Sequence, residues 1–262
     1  MKKLYVFGIM LLGLIFQNQI QAQDSNACMQ DLSIFAEYVK VKNYASAMEP
    51  WTRVRQSCPD LNAAIYTYGE RILKHYIKNG TPEEVDASKK DLIQLYDEWV
   101  QYFPAKKNKS SVGDVLSRKA QALLDYKIAD LKVVYTTFEE AYTKDAKSFT
   151  NPKHLYNYFK TLYDRYKAGD SEVSMEMLFN KYEEVSEKFE IETTELAKKL
   201  DVILKKEDEG NALTSKEQRR KRVYNINSKA IGTFLSNLDA IIAKEATCEN
   251  LIPLYKKNFD EN

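Results

Sequence analysis

The sequence predicts an all-α protein, and three observations carry that prediction. Glycine and proline number only 8 and 6 among 262 residues, too few for the many tight turns of an all-β chain. Apolar residues recur at i, i+4 and i+7 in segment after segment, which is one face of a helix. Met175, Tyr182, Phe189, Leu196 and Ile203 then recur every seven residues, as one long helix with a coiled-coil-like seam requires. Composition also narrows the function classes. Hydrophobic residues make up 44% and charged residues 29%, the balance of a folded chain. Lys and Arg total 39 against 38 Asp and Glu, so there is no electrostatic case for nucleic acid.

The chain opens MKKLYVFGIMLLGLIFQNQIQAQD. Lys2 and Lys3 form a positive start, and Leu4 to Phe16 is an apolar run too short to span a bilayer. Residues 1–22 read as a secretory signal peptide ending at Ala22, with the mature chain starting near Gln23. Export places the chain where cysteines pair, and it has three, Cys28, Cys58 and Cys248. No later run is apolar enough to cross a membrane.

A first helix face is expected from Ile34, Phe35 and Tyr38. In KNYASAMEPWTRVRQSCPD, Ala47 is followed by Trp51 at +4, Val54 at +7 and Pro59 at +12. In DLIQLYDEWVQYFP, Leu92 is followed by Tyr96, Trp99 and Pro104 at the same offsets. Proline cannot continue the hydrogen-bond ladder, so each stretch reads as the second helix of a pair. Between them, Tyr68-Gly69 followed by Ile72 belongs to a first helix. These residues resemble a tetratricopeptide repeat, with Ala47, Trp51 and Pro59 matching well and the second unit degenerate and too long. Taken whole, the chain resembles exported, Tyr- and Lys-rich repeat proteins of Bacteroidetes-type bacteria. The resemblance implies irregular helical hairpins stacked as an α-solenoid, whose concave face is lined by the first helix of each pair. On that reading Glu37, Lys40, Tyr66, Glu70, Lys74, Tyr158 and Arg165 would contact a partner. Tyr44, Trp51, Tyr96 and Trp99 would pack between helices instead. In a helical hairpin the start of one helix lies beside the end of the other, so Cys28 and Cys58 are expected to form a disulfide. The alternative is two buried free thiols, and Cys248 would stay free or pair beyond Asn262.

Further along, Thr81 with Glu84 forms a capping box with Pro82 in the first turn. Residues 111–126 and 130–145 read as helices, and Asn151-Pro152 opens another. The KAGD sequence, Lys167 to Asp170, reads as a turn. The heptad segment runs from 172 to about 208, EDEGNALT turns the chain, and Thr214 with Glu217 starts the next helix. Its expected core stripe is Ile231, Phe234, Leu235, Leu238, Ile241 and Ile242. The two long helices should close as an antiparallel hairpin. Cys248 is expected to begin a last helix without a partner, which either caps the array or, the favoured reading, marks the chain as a fragment of a longer repeat protein. The expected division is a leader at 1–22, a repeat region at 23–170, and the long hairpin with the start of a further unit at 171–262.

Chemistry-bearing patterns are sparse. His75 and His154 stand in separate helices without the clustered spacing of a metal site, and read as ordinary surface or interfacial residues. No glycine-rich phosphate loop, nucleophile elbow or Cys-x-x-Cys occurs. The basic cluster KEQRRKR, residues 216–222, reads as a solvated helix start offset by the acidic 207–209 loop, with an anionic partner as the alternative. The expected function is a non-enzymatic scaffold of the cell envelope that holds a protein or peptide in a helical-repeat groove, with no cofactor and no metal. It would be exported to the periplasm or cell surface, with no nucleic-acid partner and no transmembrane segment after cleavage. The alternative is a small-molecule or glycan-binding module working with an envelope transporter.

Overall fold

The computed structural model describes residues 26–104 and 111–252. The leader expected at 1–22 and most of the last helix lie outside them. Among the described residues there are ten helices and no strand. They fall into two compact units, divided between Ala105 and Lys106.

The first unit holds α1 (residues 26–40), α2 (Tyr44–Ser57), α3 (Ala64–Asn79) and α4 (Pro82–Tyr102). The α2 helix packs on α3 and α3 on α4. Caps follow the local sequence. Asn43 accepts from the Ser46 N–H at the start of α2. Thr81 and Glu84 close the expected capping box on α4, with Pro82 in its first turn. Pro50 lies inside α2, which runs through it.

The buried stripe of α1 differs from the expected one. Phe35 and Val39 are buried with Cys28, whereas Ile34 and Tyr38 are 46% and 37% exposed. Two i, i+4 apolar pairs lie side by side on this helix, and the position of α2 selects between them. Trp51 is the pivot between α2 and α3. It is 1% exposed, and its indole N–H donates to the Ile65 carbonyl at 2.9 Å. A Cβ on Gly69 would stand 2.7 Å from the Trp51 ring, so only glycine lets α3 lie this close. Cys28 and Cys58 are disulfide-bonded, with Cα atoms 6.3 Å apart, within the usual range for a bridge. The bridge ties the start of α1 to the end of α2. Closing about 30 residues, it stabilises the fold by roughly 3–4 kcal/mol through the unfolded chain.

The second unit holds α5 (Val112–Asp125), α6 (Leu131–Asp145), α7 (Pro152–Lys167), α8 (Met175–Asp208), α9 (Ser215–Glu245) and the described start of α10 (residues 248–252). Its central element is α7, which packs against α5, α6, α8 and α9. Accordingly its buried residues run from Pro152 through His154, Leu155, Tyr158, Phe159 and Leu162 to Arg165. The expected boundary at 170/171 is not where the units divide, because α7 packs on both long helices.

The turn expected at KAGD closes α7. Gly169 has φ +77°, and the Asp170 N–H donates back to the Arg165 carbonyl, a glycine C-cap. The hairpin of α8 and α9 closes as expected. Tyr182 donates to Asp239 at 2.7 Å, Lys206 pairs with Glu217 at 2.8 Å, and Lys221 pairs with Glu207. From Tyr182 near the start of α8 to Lys206 and Glu207 at its end, the α9 partner moves back from Asp239 to Glu217 and Lys221, which is the register of an antiparallel pair. Thr214 and Glu217 form the second capping box. On α9 the buried residues are Ile231, Leu238, Ile242 and Glu245. Phe234, expected to meet α8, stacks on Tyr156 of α7 with ring centroids 5.0 Å apart.

Candidate functional site

A polar concavity of the first unit lies between α2 and α4. It encloses about 650 Å³ and includes Trp51, Arg55, Asp91, Gln94, Glu98 and Tyr102 in its wall. Its floor follows from helical spacing. On α4 the residues Leu92, Leu95, Tyr96 and Trp99 face the core, which turns Asp91, Gln94 and Glu98 outward on one stripe at i, i+3 and i+7. Arg55 reaches across from α2. Its Nη1 meets Asp91 at 2.7 Å and its Nε meets Glu98 at 2.7 Å. Gln94 donates to the other Glu98 oxygen at 2.8 Å. Burial by itself would lower the pKa of Arg55, but the hydrogen bonds and charges of Glu98 and Asp91 outweigh it, so the pKa is raised. The guanidinium lies 5.1 Å above the Trp51 ring, covering an aromatic face that would otherwise line the floor.

A second recess of about 340 Å³ shares Met48 and Asp91 with the first and continues toward Tyr76 and Glu84. The two adjoin at Met48 and Asp91 as one trough. Asp91, Asp97, Glu98 and Glu84 stand in its walls against the single guanidinium of Arg55, so its character is acidic.

The expected partner-contacting residues are placed differently. Glu37 and Lys40 are exposed on α1 and pair with each other at 2.6 Å. Lys74 is exposed and bonds Glu70 at 2.5 Å. Glu70 is buried and also accepts from the Tyr96 hydroxyl at 3.0 Å. Tyr66 is fully buried, stacked on Trp99 and donating to the Pro59 carbonyl at 3.0 Å. Tyr158 and Arg165 belong to the second unit and are buried as well. Tyr66, Glu70, Tyr158 and Arg165 therefore have no surface to offer a partner. They turn inward because each shares a helix face with core residues. The trough residues Arg55, Asp91 and Glu98 were missed, although the polar stripe 91, 94, 98 of α4 is readable in the sequence. The resemblance places the contacts on first helices, whereas the trough is built mainly on second ones.

Two polar clusters in the second unit lie between helices. Glu139 of α6 accepts at one carboxylate oxygen from Tyr135 at 2.7 Å, Tyr158 at 2.5 Å and Lys181 at 2.9 Å. Lys181 of α8 also bonds the Tyr158 hydroxyl and lies 4.3 Å from that ring's centroid. Burial and then the bond to Glu139 push both tyrosine hydroxyls far above their ordinary pKa. Burial would raise the Glu139 carboxyl, but the bonds from Tyr158, Lys181 and Tyr135 outweigh it and hold it below the usual value. Arg165 joins the neighbouring loop, meeting Asp170 at 2.8 Å and Glu172 at 3.1 Å. The cluster locks α6, α7 and α8 together. Elsewhere Ser117 and His154 share a hydrogen bond of 2.9 Å. The serine is fully buried, so no substrate carbonyl reaches it. His75 stacks on Tyr44 at 4.5 Å. Among the described residues no group of His, Cys, Asp and Glu could hold a metal ion, and no helix is long and apolar enough to cross a membrane.

No protein-family model matches the chain, and no curated protein does either.

Proposed function

We propose that the protein is a non-enzymatic scaffold that holds an extended, basic peptide segment of a partner protein in the trough between α2 and α4. The acidic lining of the trough carries the proposal. Two adjoining recesses suit a chain segment better than a compact ligand, and carboxylates in both favour Lys or Arg in the occupant. The covered face of Trp51 supports this reading over glycan binding, which would use an open aromatic surface. The seating of Trp51 against Gly69 supports a tetratricopeptide-like first unit, in which a large residue of one hairpin fills the space left by a small residue of the next. The Cys28–Cys58 bridge supports export to an oxidising compartment of the cell envelope.

The test is capture of partners from an envelope fraction, with mass-spectrometric identification. Asp97→Lys and Gln101→Lys together reverse the rim charge at outward positions of α4. The expected result is loss of the captured partner with unchanged helix content. Identical capture by the altered and unaltered proteins would remove the trough from the function.

A further inference from the structure

The far end of the hairpin differs in charge from everything around it. Residues 198–229 carry ten Lys or Arg and five Asp or Glu, a net of +5 in a chain whose total is +1. Of the acidic 207–209 loop expected to offset the cluster, Glu207 pairs with Lys221 and Glu209 accepts from Asn211, and among the described residues neither Asp208 nor Glu209 pairs with a basic residue of the cluster. Nearby, Glu217 pairs with Lys206 and Asp201 with Lys205. Among the described residues no ion pair engages Lys216, Arg219, Arg220, Arg222 or Lys229. They are also exposed.

Apolar residues share this face. No residue of α9 before Ile231 is buried, and Val223 and Ile226 are 44% and 59% exposed. Lys216, Arg219, Val223 and Ile226 are spaced by three or four residues, so they form one stripe. Beside it a recess of about 740 Å³ is walled by Leu213, Ile226, Arg222 and Lys229, with Glu207 in the wall already held by Lys221.

We infer that the far end of the hairpin docks on a membrane surface bearing anionic phospholipid. Guanidinium groups match phosphate in charge and geometry. Aliphatic side chains on the same stripe enter the boundary between headgroups and acyl chains, as on interfacial helices. A recess with both basic and aliphatic walls suits a phosphate with its first methylene groups. An acidic protein would answer the charge but would leave Val223 and Ile226 without a use. This attachment is independent of the trough, which lies in the other unit.

Co-sedimentation of the full protein with vesicles of phosphatidylcholine, with and without phosphatidylglycerol, tests the inference. Binding is expected only with phosphatidylglycerol and should fall as salt is raised. Each basic residue near such a surface contributes roughly fivefold, so Arg219→Glu with Arg222→Glu should weaken binding by about 25-fold or more. Both positions are exposed, so the circular dichroism spectrum and melting curve should not change. Ile226→Asp should weaken the binding that remains at high salt. The salt dependence of the unaltered protein reads the same charge effect without any variant. Equal binding to both vesicle types would overturn the inference, as would a double variant that binds undiminished. Binding to soluble polyglutamate without binding to vesicles would assign the surface to an acidic protein instead.

Discussion

The two ends of the α8–α9 hairpin share the same helices and the same seven-residue seam, yet they are packed differently. Near the start of α8, Leu178, Val185 and Phe189 are fully buried, and Leu238 is fully buried on the facing part of α9. There α7 covers both helices, and Glu245 at the end of α9 receives Tyr163 and Lys167 of α7 at 3.0 and 3.2 Å. At the far end only Ile203 is buried on α8, and nothing on α9 before Ile231. A seam of apolar residues is therefore not sufficient for a core. Two helices leave their outer faces in water, and a third is needed to close the space. The far end is held by ion pairs across the hairpin and by a capping box, which individually contribute little when exposed.

The contrast can be broken by measurement. Phe189→Ala should cost about 3–5 kcal/mol in denaturant unfolding, as truncation of a fully buried aromatic does. Ile203→Ala should cost about 2 kcal/mol, the low end for such a change, since fewer residues surround it. An equal cost for the two would mean that the far end is packed as well as the near end. Acid should act at both ends: at the far end the bonds from Lys206 and Thr214 hold the Glu217 pKa down at about 2, and at the near end Glu139 responds. The Glu139 pKa lies below its ordinary 4.5 in the folded protein, so its bonds stabilise the fold above that value. That contribution is lost as pH falls from about 4.5 through the lower folded value. Its side chain is 40% exposed, so the loss should be smaller than either truncation. Glu139→Gln should flatten that part of the pH–stability curve, and an unchanged curve would assign the acid response to other carboxylates. Thr214→Ala should cost about 1 kcal/mol. Faster hydrogen exchange confined to the first turns of α9 would place that loss at the far end, whereas a uniform increase would couple the two ends.

What could be read in advance depended on the range of the interactions. Thr81 with Glu84 and Thr214 with Glu217 are fixed by neighbours three residues away, so both caps were legible. The disulfide followed from the antiparallel logic of one hairpin. The face of α1 was not legible, because Ile34 and Tyr38 compete with Phe35 and Val39 at identical spacing and only α2 decides between them. The division near residue 105 was missed because the change of periodicity after 170 is the stronger local signal. Contacts of α7 with both long helices override it. Tyr66 and Tyr158 were expected at a surface by analogy with first helices. Burial of a tyrosine depends on whether its hydroxyl finds a partner, here the Pro59 carbonyl and Glu139. Such partners are distant in sequence or set by loop geometry. In contrast, the stripe Asp91, Gln94 and Glu98 is local, and its i, i+3, i+7 spacing is legible in the sequence.

The bridge between Cys28 and Cys58 also has a mechanical meaning. A chain pulled by its ends lengthens as its helices unravel. The two cysteines are 30 residues apart in sequence, a stretch that would extend to about 100 Å. The bridge holds their Cα atoms 6.3 Å apart instead, so tension cannot draw that length out. Under load α3 and α4 can be drawn out to full length while residues 28–58 stay a closed ring. A reducing agent would release the withheld length as one step in a force–extension record.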